Sequence, residues 1–441
     1  MILRPAWDLT MRSASSLLFT KPKKCIGLDI GTHSVKAVQM SRSGGRLYVD
    51  EVGYALVDRN LVNADPTTAH GNAVKEALMT LPVAQSMLVG ALPGQTVVIR
   101  YPRLPESARN NLADAVQKEA GQNIPYDLAE VVLDWVLLEE SEDASGNQQQ
   151  LKVLLVAAKH EVLDSRIQIT QNADVQLSVL GVDSLALADA AEACDFLRVG
   201  ETVALVNIGL GSASIHFVKD GRSNFIRDVS WGARELLQAI AKERRVDLDE
   251  ADRILRDAAN GVDERQAEAA KPAASPKGED LPAAAPATLN PFDDPFADNA
   301  PTPPPAPAAL GGGSLLDPLD DEPVPSVGRP ASARSGGKTL RDTLTTPLAR
   351  MVSEIRRSFD YYEHQLYERP VDRIIISGGI AHLPLLRDVI AEELGIETVE
   401  IANPVVSALH MGDDFAIAEL QQRPAQFMVA IGLAARGMAQ L

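Results

Sequence analysis

Asp29-Ile-Gly-Thr-His-Ser-Val-Lys36 places a carboxylate, a turn glycine, two small hydroxyls and an ammonium within one short stretch. These are the groups that hold a phosphate chain. Backbone N–H groups and Lys36 meet the oxygens, and Asp29 faces the water shell of a divalent metal ion. The same spacing also serves ordinary turn chemistry, because Asp-x-Gly is common at strand ends. The flanking residues decide how such groups would be held. Cys25 to Leu28 is a short apolar run that reads as a buried strand, Gly31 marks the turn, and Val35, Ala37 and Val38 begin a returning strand. The expected element is a β-hairpin with Thr32 and Ser34 at its tip.

Two later stretches bear on this reading. Thr202 to Phe217 repeats the order of apolar strand, polar residue (Asn207), turn (Gly209, Gly211), small hydroxyl (Ser212) and returning strand. Ile374 to Leu386 is a buried strand that runs into Ser377-Gly378-Gly379 and then a helix. Two phosphate hairpins followed by a strand–Ser-Gly-Gly–helix resemble the actin/Hsp70/sugar-kinase superfamily.

Composition narrows the function classes. At 441 residues there is room for two domains plus linkers, and 45% apolar content can build sizeable cores. A net charge of −18 argues against nucleic-acid binding, which needs a basic footprint. No stretch approaches the roughly eighteen apolar residues of a membrane span. Cys25 and Cys194 both lie in apolar segments and read as packing residues, which fits a reducing cytoplasm. Residues 1–24 carry five basic residues and read as a flexible leader, with Met11 an alternative start. Residues 258–337 hold 15 of the 28 prolines and 12 acidic against 5 basic residues, the signature of a disordered, partly polyproline loop. Within it, Asn290 to Asp298 sets two aromatics in an acidic context, a phrase that biased composition also yields by chance.

In chain order the pattern predicts a strand over 47–57, a helix over 72–81 and a strand over 86–92. An α+β insert follows over about 97–158, with a helix over 108–120 that closes at Gly121 and paired strands over 131–138 and 151–158. Helices over 160–172 and 184–196 flank a strand over 177–182. After the second hairpin come strands turning at Asp220-Gly221 and helices over 233–244 and 248–258. Beyond the Pro-rich loop, Leu344, Leu348, Met351, Ile355 and Phe359 mark a helix over 340–367. Arg356 and Arg357 on it either reach a nucleotide or form a solvated face. Asp183 either acts at a site or caps the helix that starts at Ser184. His33 and His216 have no second ligand at metal spacing.

The motifs Ile26 to Lys36, Val182 to Leu187, Leu205 to Gly209, Ser377 to Gly379 and Ala430 to Arg436 together resemble the PilM family, actin-like components of type IV pilus assembly. The resemblance covers about residues 20–255 and 340–441. It implies an α/β actin-like ATPase fold: two ribonuclease-H-like lobes around a nucleotide cleft, with an insert like that of the division protein FtsA. Lobe 1 would span 25–198, and lobe 2 would span 199–257 and 338–420. A C-terminal helix over 421–441 would return to lobe 1. The implied cofactors are ATP and Mg, with Asp29 facing the metal through water and Lys36 the β-phosphate. Gly31, Thr32 and Ser34 would line the first phosphate loop, and Asn207, Gly209, Gly211 and Ser212 the second. Gly378 and Gly379 would lie against the nucleoside.

Hydrolysing relatives carry Asp where this chain has Asn207, and Glu or Gln where it has the shorter Asp183. Asp183, the candidate for positioning water, falls about one methylene short, which implies a slow ATPase at most. The implied partners are the N-terminal cytoplasmic tail of PilN and other inner-membrane platform proteins of the pilus or of type II secretion. The protein would then be cytoplasmic and peripheral to the inner membrane. The alternatives are a small-molecule kinase of the same superfamily and an FtsA-like cytoskeletal protein.

Overall fold

The structure is a computed structural model that describes residues 23–142, 149–259 and 338–441, without the side chains of 139–142. Residues 1–22 of the expected leader, the tip of the insert hairpin and nearly all of the Pro-rich loop lie outside these residues, and Lys24, expected in the leader, begins the first strand.

The strands are β1 (Lys24–Ile30), β2 (Ser34–Ser43), β3 (Arg46–Leu56), β4 (Ser86–Leu92), β5 (Val97–Arg100), β6 (Arg103–Pro105), β7 (Val131–Glu142), β8 (Gln149–Lys159), β9 (Val179–Val182), β10 (Thr202–Ile208), β11 (Ala213–Lys219), β12 (Arg222–Val229), β13 (Arg373–Gly378), β14 (Val399–Ile401) and β15 (His410–Met411). The α-helices are α1 (Arg59–Ala64), α2 (Pro66–Ala77), α3 (Leu112–Asn123), α4 (His160–Asn172), α5 (Asp183–Ala193), α6 (Ala233–Arg244), α7 (Leu248–Ala259), α8 (Leu340–Asp360), α9 (Pro384–Leu394), α10 (Ala418–Gln422) and α11 (Met428–Met438).

Two sheets share one plan. The first runs β15-β3-β2-β1-β4-β9 and the second β12-β11-β10-β13-β14. In each, an antiparallel meander (β1-β2-β3, β10-β11-β12) is extended on the far side of its first strand by two parallel strands. The second meander turns at Asp220 and Gly221, both with positive φ, the backbone that suits a two-residue hairpin. The insert is a separate sheet, with β8 paired to β5 and β6 on one edge and to β7 on the other, and α3 packed against it.

Helices α5 and α11 lie between the two main sheets. Their buried residues (Ala186, Leu187, Ile431, Leu433) form one apolar cluster with Cys25 and Val89 of the first sheet and with Val203, Leu205 and Ile375 of the second. Backbones approach closely there: a Cβ on Gly27 would meet the Ala430 carbonyl at 2.0 Å, and one on Gly432 the Ala186 carbonyl at 1.8 Å. Arg436 clasps Asp189 at 2.9 and 2.6 Å and pins the end of α11 to α5. Both cysteines are buried and free, and burial pushes each thiol up to about 12.

Several expectations need correction. The helix expected over 72–81 starts at Pro66, because Asp65 accepts from the Thr68 N–H as an N-cap and proline suits the first helical position. The helix expected to close at Gly121 runs to Asn123 and stops before Ile124-Pro125, since the residue before a proline disfavours helix. The chain rejoins the first sheet before residue 421: β15 pairs with β3, and Leu409, Ile417 and Leu420 join the cluster around α11. Arg356 and Arg357 meet Glu393 and Glu354 on the surface, so they form the solvated face. No helix among the described residues is long and apolar enough to cross a membrane.

The insert continues lobe 1 in sequence but is fastened to the second sheet. Tyr101 and Ser223 share a hydrogen bond at 2.7 Å, Arg222 donates to the Leu138 carbonyl at 3.3 Å, and Arg103 faces Glu368 at 3.6 Å.

Candidate phosphate cleft between the lobes

The two hairpins close in the same way. The Gly31 N–H donates to the Ser34 carbonyl at 3.2 Å, and the Gly209 N–H to the Ser212 carbonyl at 2.9 Å. Asp29 is cross-strand partner to Lys36, and Asn207 holds the matching position opposite Ser214. The third segment joins the second hairpin through its backbone. Gly378, with φ of +98°, lies so close that a Cβ would meet the Ile208 carbonyl at 2.2 Å, and the Gly379 N–H donates to that carbonyl at 3.1 Å. The Ser377 hydroxyl donates to Asn207 Oδ1 at 3.2 Å.

The hairpins face each other across a cleft of about 840 Å³. Every residue expected to hold phosphate, metal, nucleoside or water lines it: Asp29, Gly31, Thr32, Ser34, Lys36, Asp183, Asn207, Gly209, Gly211, Ser212, Gly378 and Gly379. Lys36 is largely buried and ion-paired to Asp29 at 3.3 Å. Asp183 Oδ1 accepts from the Ser184 N–H at 2.6 Å and from the Gly94 N–H at 2.7 Å. It therefore acts from the first residue of α5 on the N–H of the second, and is not the residue before the helix, which is Val182. It ties the start of α5 to the turn after β4.

Three further groups that the sequence reading does not name also line the cleft. Asp228, at the end of β12, is buried so near Gly94 that a Cβ there would lie 2.6 Å from its carboxylate. Arg166 on α4 donates to the Ile30 carbonyl at 3.1 Å, at the end of β1 where the first hairpin turns. Asp252 on α7, together with Asp249, takes Arg59 of α1 at 3.3 and 2.6 Å and so bridges the lobes. Burial, then repulsion from Asp228 and Asp29, pushes the Asp183 carboxyl up to about 8. Burial likewise raises Asp228, and Ser214 across the ladder restrains that shift. His216 is buried in bonds to the Ser184 carbonyl and Ser223 Oγ, and burial draws it down to about 4.

The lining fits a phosphate group, with Lys36 and the turns of both hairpins converging on it. A Cβ on Gly211 or Gly379 would meet nothing within 4 Å, so both glycines leave open surface toward the cleft. No three acidic, His or Cys residues among the described residues converge closely enough to ligate a metal directly.

The chain matches the family model described as "Type IV pilus assembly protein PilM" over residues 27–266 and 336–438. Among solved structures it is similar to a "PilM-PilN type IV pilus biogenesis complex", at 20% identity and a TM-score of 0.66, covering 95% of this chain and 99% of that one. It also matches the ethanolamine utilization protein EutJ of Carboxydothermus hydrogenoformans, at 11% identity and a TM-score of 0.44, covering 94% of this chain and 90% of that one. A third match is MreB 5 of Spiroplasma citri bound to AMPPNP, at 10% identity and a TM-score of 0.41, covering 94% and 95%. The duplicated sheets with two helices between them have the actin-like architecture.

Proposed function

The chain belongs to the PilM family of type IV pilus assembly proteins, and from that premise we propose that it is an ATP-binding scaffold whose nucleotide sets the angle between its lobes and thereby the docking of the cytoplasmic tail of PilN. The observation that carries this reading is the convergence on one cleft of Asp29–Lys36, Asp183, Asn207–Ser212 and Gly378-Gly379, drawn from both duplicated sheets. A phosphate chain held by both hairpins would tie the lobes together, and a ligand shifts such an equilibrium only by its differential affinity for the two states. The insert, part of lobe 1 by sequence and bound to β12 by Tyr101, would follow that angle.

In this reading Lys36 and the hairpin N–H groups hold phosphate oxygens. Asp29 faces the water shell of magnesium, which when bound neutralises charge between the hairpins. Asn207 brings no negative charge, and Asp183 is held by Gly94 and Ser184, so turnover would be slow. Assembly through PilN and neighbouring platform proteins would place the protein at the cytoplasmic face of the inner membrane.

The test is a calorimetric titration of a peptide of the PilN N-terminal tail into the full chain, with and without Mg-ATP, while phosphate release is followed. Peptide affinity that changes with ATP, at negligible phosphate release, supports the scaffold. Absence of peptide binding in both states removes it and favours a small-molecule kinase. Asp29→Ala should weaken Mg-ATP binding by about 10-fold or more, because it removes the carboxylate and leaves Lys36 without its partner. Unchanged ATP affinity in that variant would remove the basis for the site.

A further inference from the structure

Arg166 stands apart from the other cations of the cleft. It is 7% exposed and lines the cleft, and among the described residues its guanidinium makes a single hydrogen bond, to the Ile30 carbonyl. No carboxylate among the described residues lies within ion-pairing distance of it. Arg59 and Arg256 share Asp252, and Lys36 has Asp29. The two carboxylates that influence Arg166 from farther off are already committed, Asp29 to Lys36 and Asp183 to two backbone N–H groups. A buried charge without a partner is costly, and a guanidinium has five N–H donors to satisfy. Its fork matches the oxygens of a phosphoryl group.

Position selects which phosphoryl group. Gly378 and Gly379 lie at the second sheet, beside the second hairpin. Arg166 approaches from α4, on the side of the first hairpin, where it holds the Ile30 carbonyl. A nucleotide with its nucleoside at Gly378-Gly379 would reach Arg166 only with the far end of its phosphate chain. We infer that Arg166 receives the terminal phosphoryl group of a nucleoside triphosphate and is the residue through which the cleft distinguishes triphosphate from diphosphate. The inference rests on the nucleotide reading above.

The test compares ATP and ADP, each with Mg, in displacement titrations on the full-length protein and on Arg166→Gln and Arg166→Lys. The native protein should bind ATP more tightly than ADP. Arg166→Gln retains an amide for the Ile30 carbonyl, and should lose ATP affinity by about 10- to 100-fold while ADP affinity stays within about 2-fold. Retained ADP binding also reports that the variant is folded. Arg166→Lys keeps the charge without the fork and should fall between the two, and it decides the matter if the Gln variant does not fold. Equal loss of both ligands would assign Arg166 to support of the hairpin alone and overturn the inference, as would no loss or a native protein that treats the two nucleotides alike. A native protein that binds neither nucleotide overturns the nucleotide reading itself, and the inference with it.

Discussion

Gly432→Ala should lower the thermal midpoint by about 5 °C or more, a loss of about 2 kcal/mol or more. Propensity alone argues the other way, since alanine in a helix interior is better than glycine by about 1 kcal/mol. Geometry outweighs it here. The new methyl would stand 1.8 Å from the carbonyl oxygen of Ala186, 2.6 Å from its carbon and 3.1 Å from the Ala190 nitrogen. These are backbone atoms of α5, which cannot rotate aside, so α5 and α11 must separate. That separation opens the apolar cluster in which both helices join the two sheets. It also moves Asp183, the first residue of α5, away from the cleft. Gly121→Ala is the control: in α3 the same methyl meets only Leu128 Cδ1, at 3.8 Å, and should be neutral or stabilising. Thermal denaturation of both variants decides, and a Gly432→Ala protein as stable as the native one would refute the close-packing argument.

Asp183→Asn should stabilise the protein at pH 8 by about 2 kcal/mol or more and flatten the dependence of stability on pH. In the folded protein the Asp183 carboxyl is pushed up to about 8 from an ordinary value of 3.8. Between those limits the folded state holds a proton that the unfolded chain has released. Stability attributable to this group therefore falls as pH rises from about 4 to 8, with no cost below that window and the full cost above it. Asparagine keeps the oxygen that accepts from Gly94 and Ser184 and carries no charge. It also relieves the neighbouring Asp228. Urea denaturation at pH 5 and pH 8 reads the effect, and identical slopes against pH in the two proteins would count against it. A carboxyl kept where it destabilises the fold is the pattern expected of a group retained for function.

The architecture was legible where pattern and turn chemistry agree. Each hairpin of the duplicated meander shows an apolar run, a turn glycine and a returning run, and both formed as read. Element ends were less legible because capping and proline signals outweigh apolar periodicity there: Asp65-Pro66 opens α2, and Pro125 rather than Gly121 limits α3. In the cleft, the hairpin residues were readable because their spacing is local. Asp228 was not, because an aspartate near the end of an alternating strand gives no sign that it will meet Gly94 across the lobes. Arg166 did leave a trace: it lies with Leu163, Ile169 and Thr170 among the buried residues of α4, an arginine on an apolar stripe. Such a residue asks for a buried anion.

The packing of α11 against β1 also bears on how the chain is made. Gly27 on the first strand receives the backbone of Ala430 and Ala434, and Cys25 lies against Gly437. The strands of lobe 1 leave the ribosome early, yet the helix that covers them is translated last among the described elements. Domains usually fold as they emerge, N-terminal first. Here lobe 1 cannot complete its core until after lobe 2 has been synthesised, and its bare apolar face is a surface for chaperones throughout that interval.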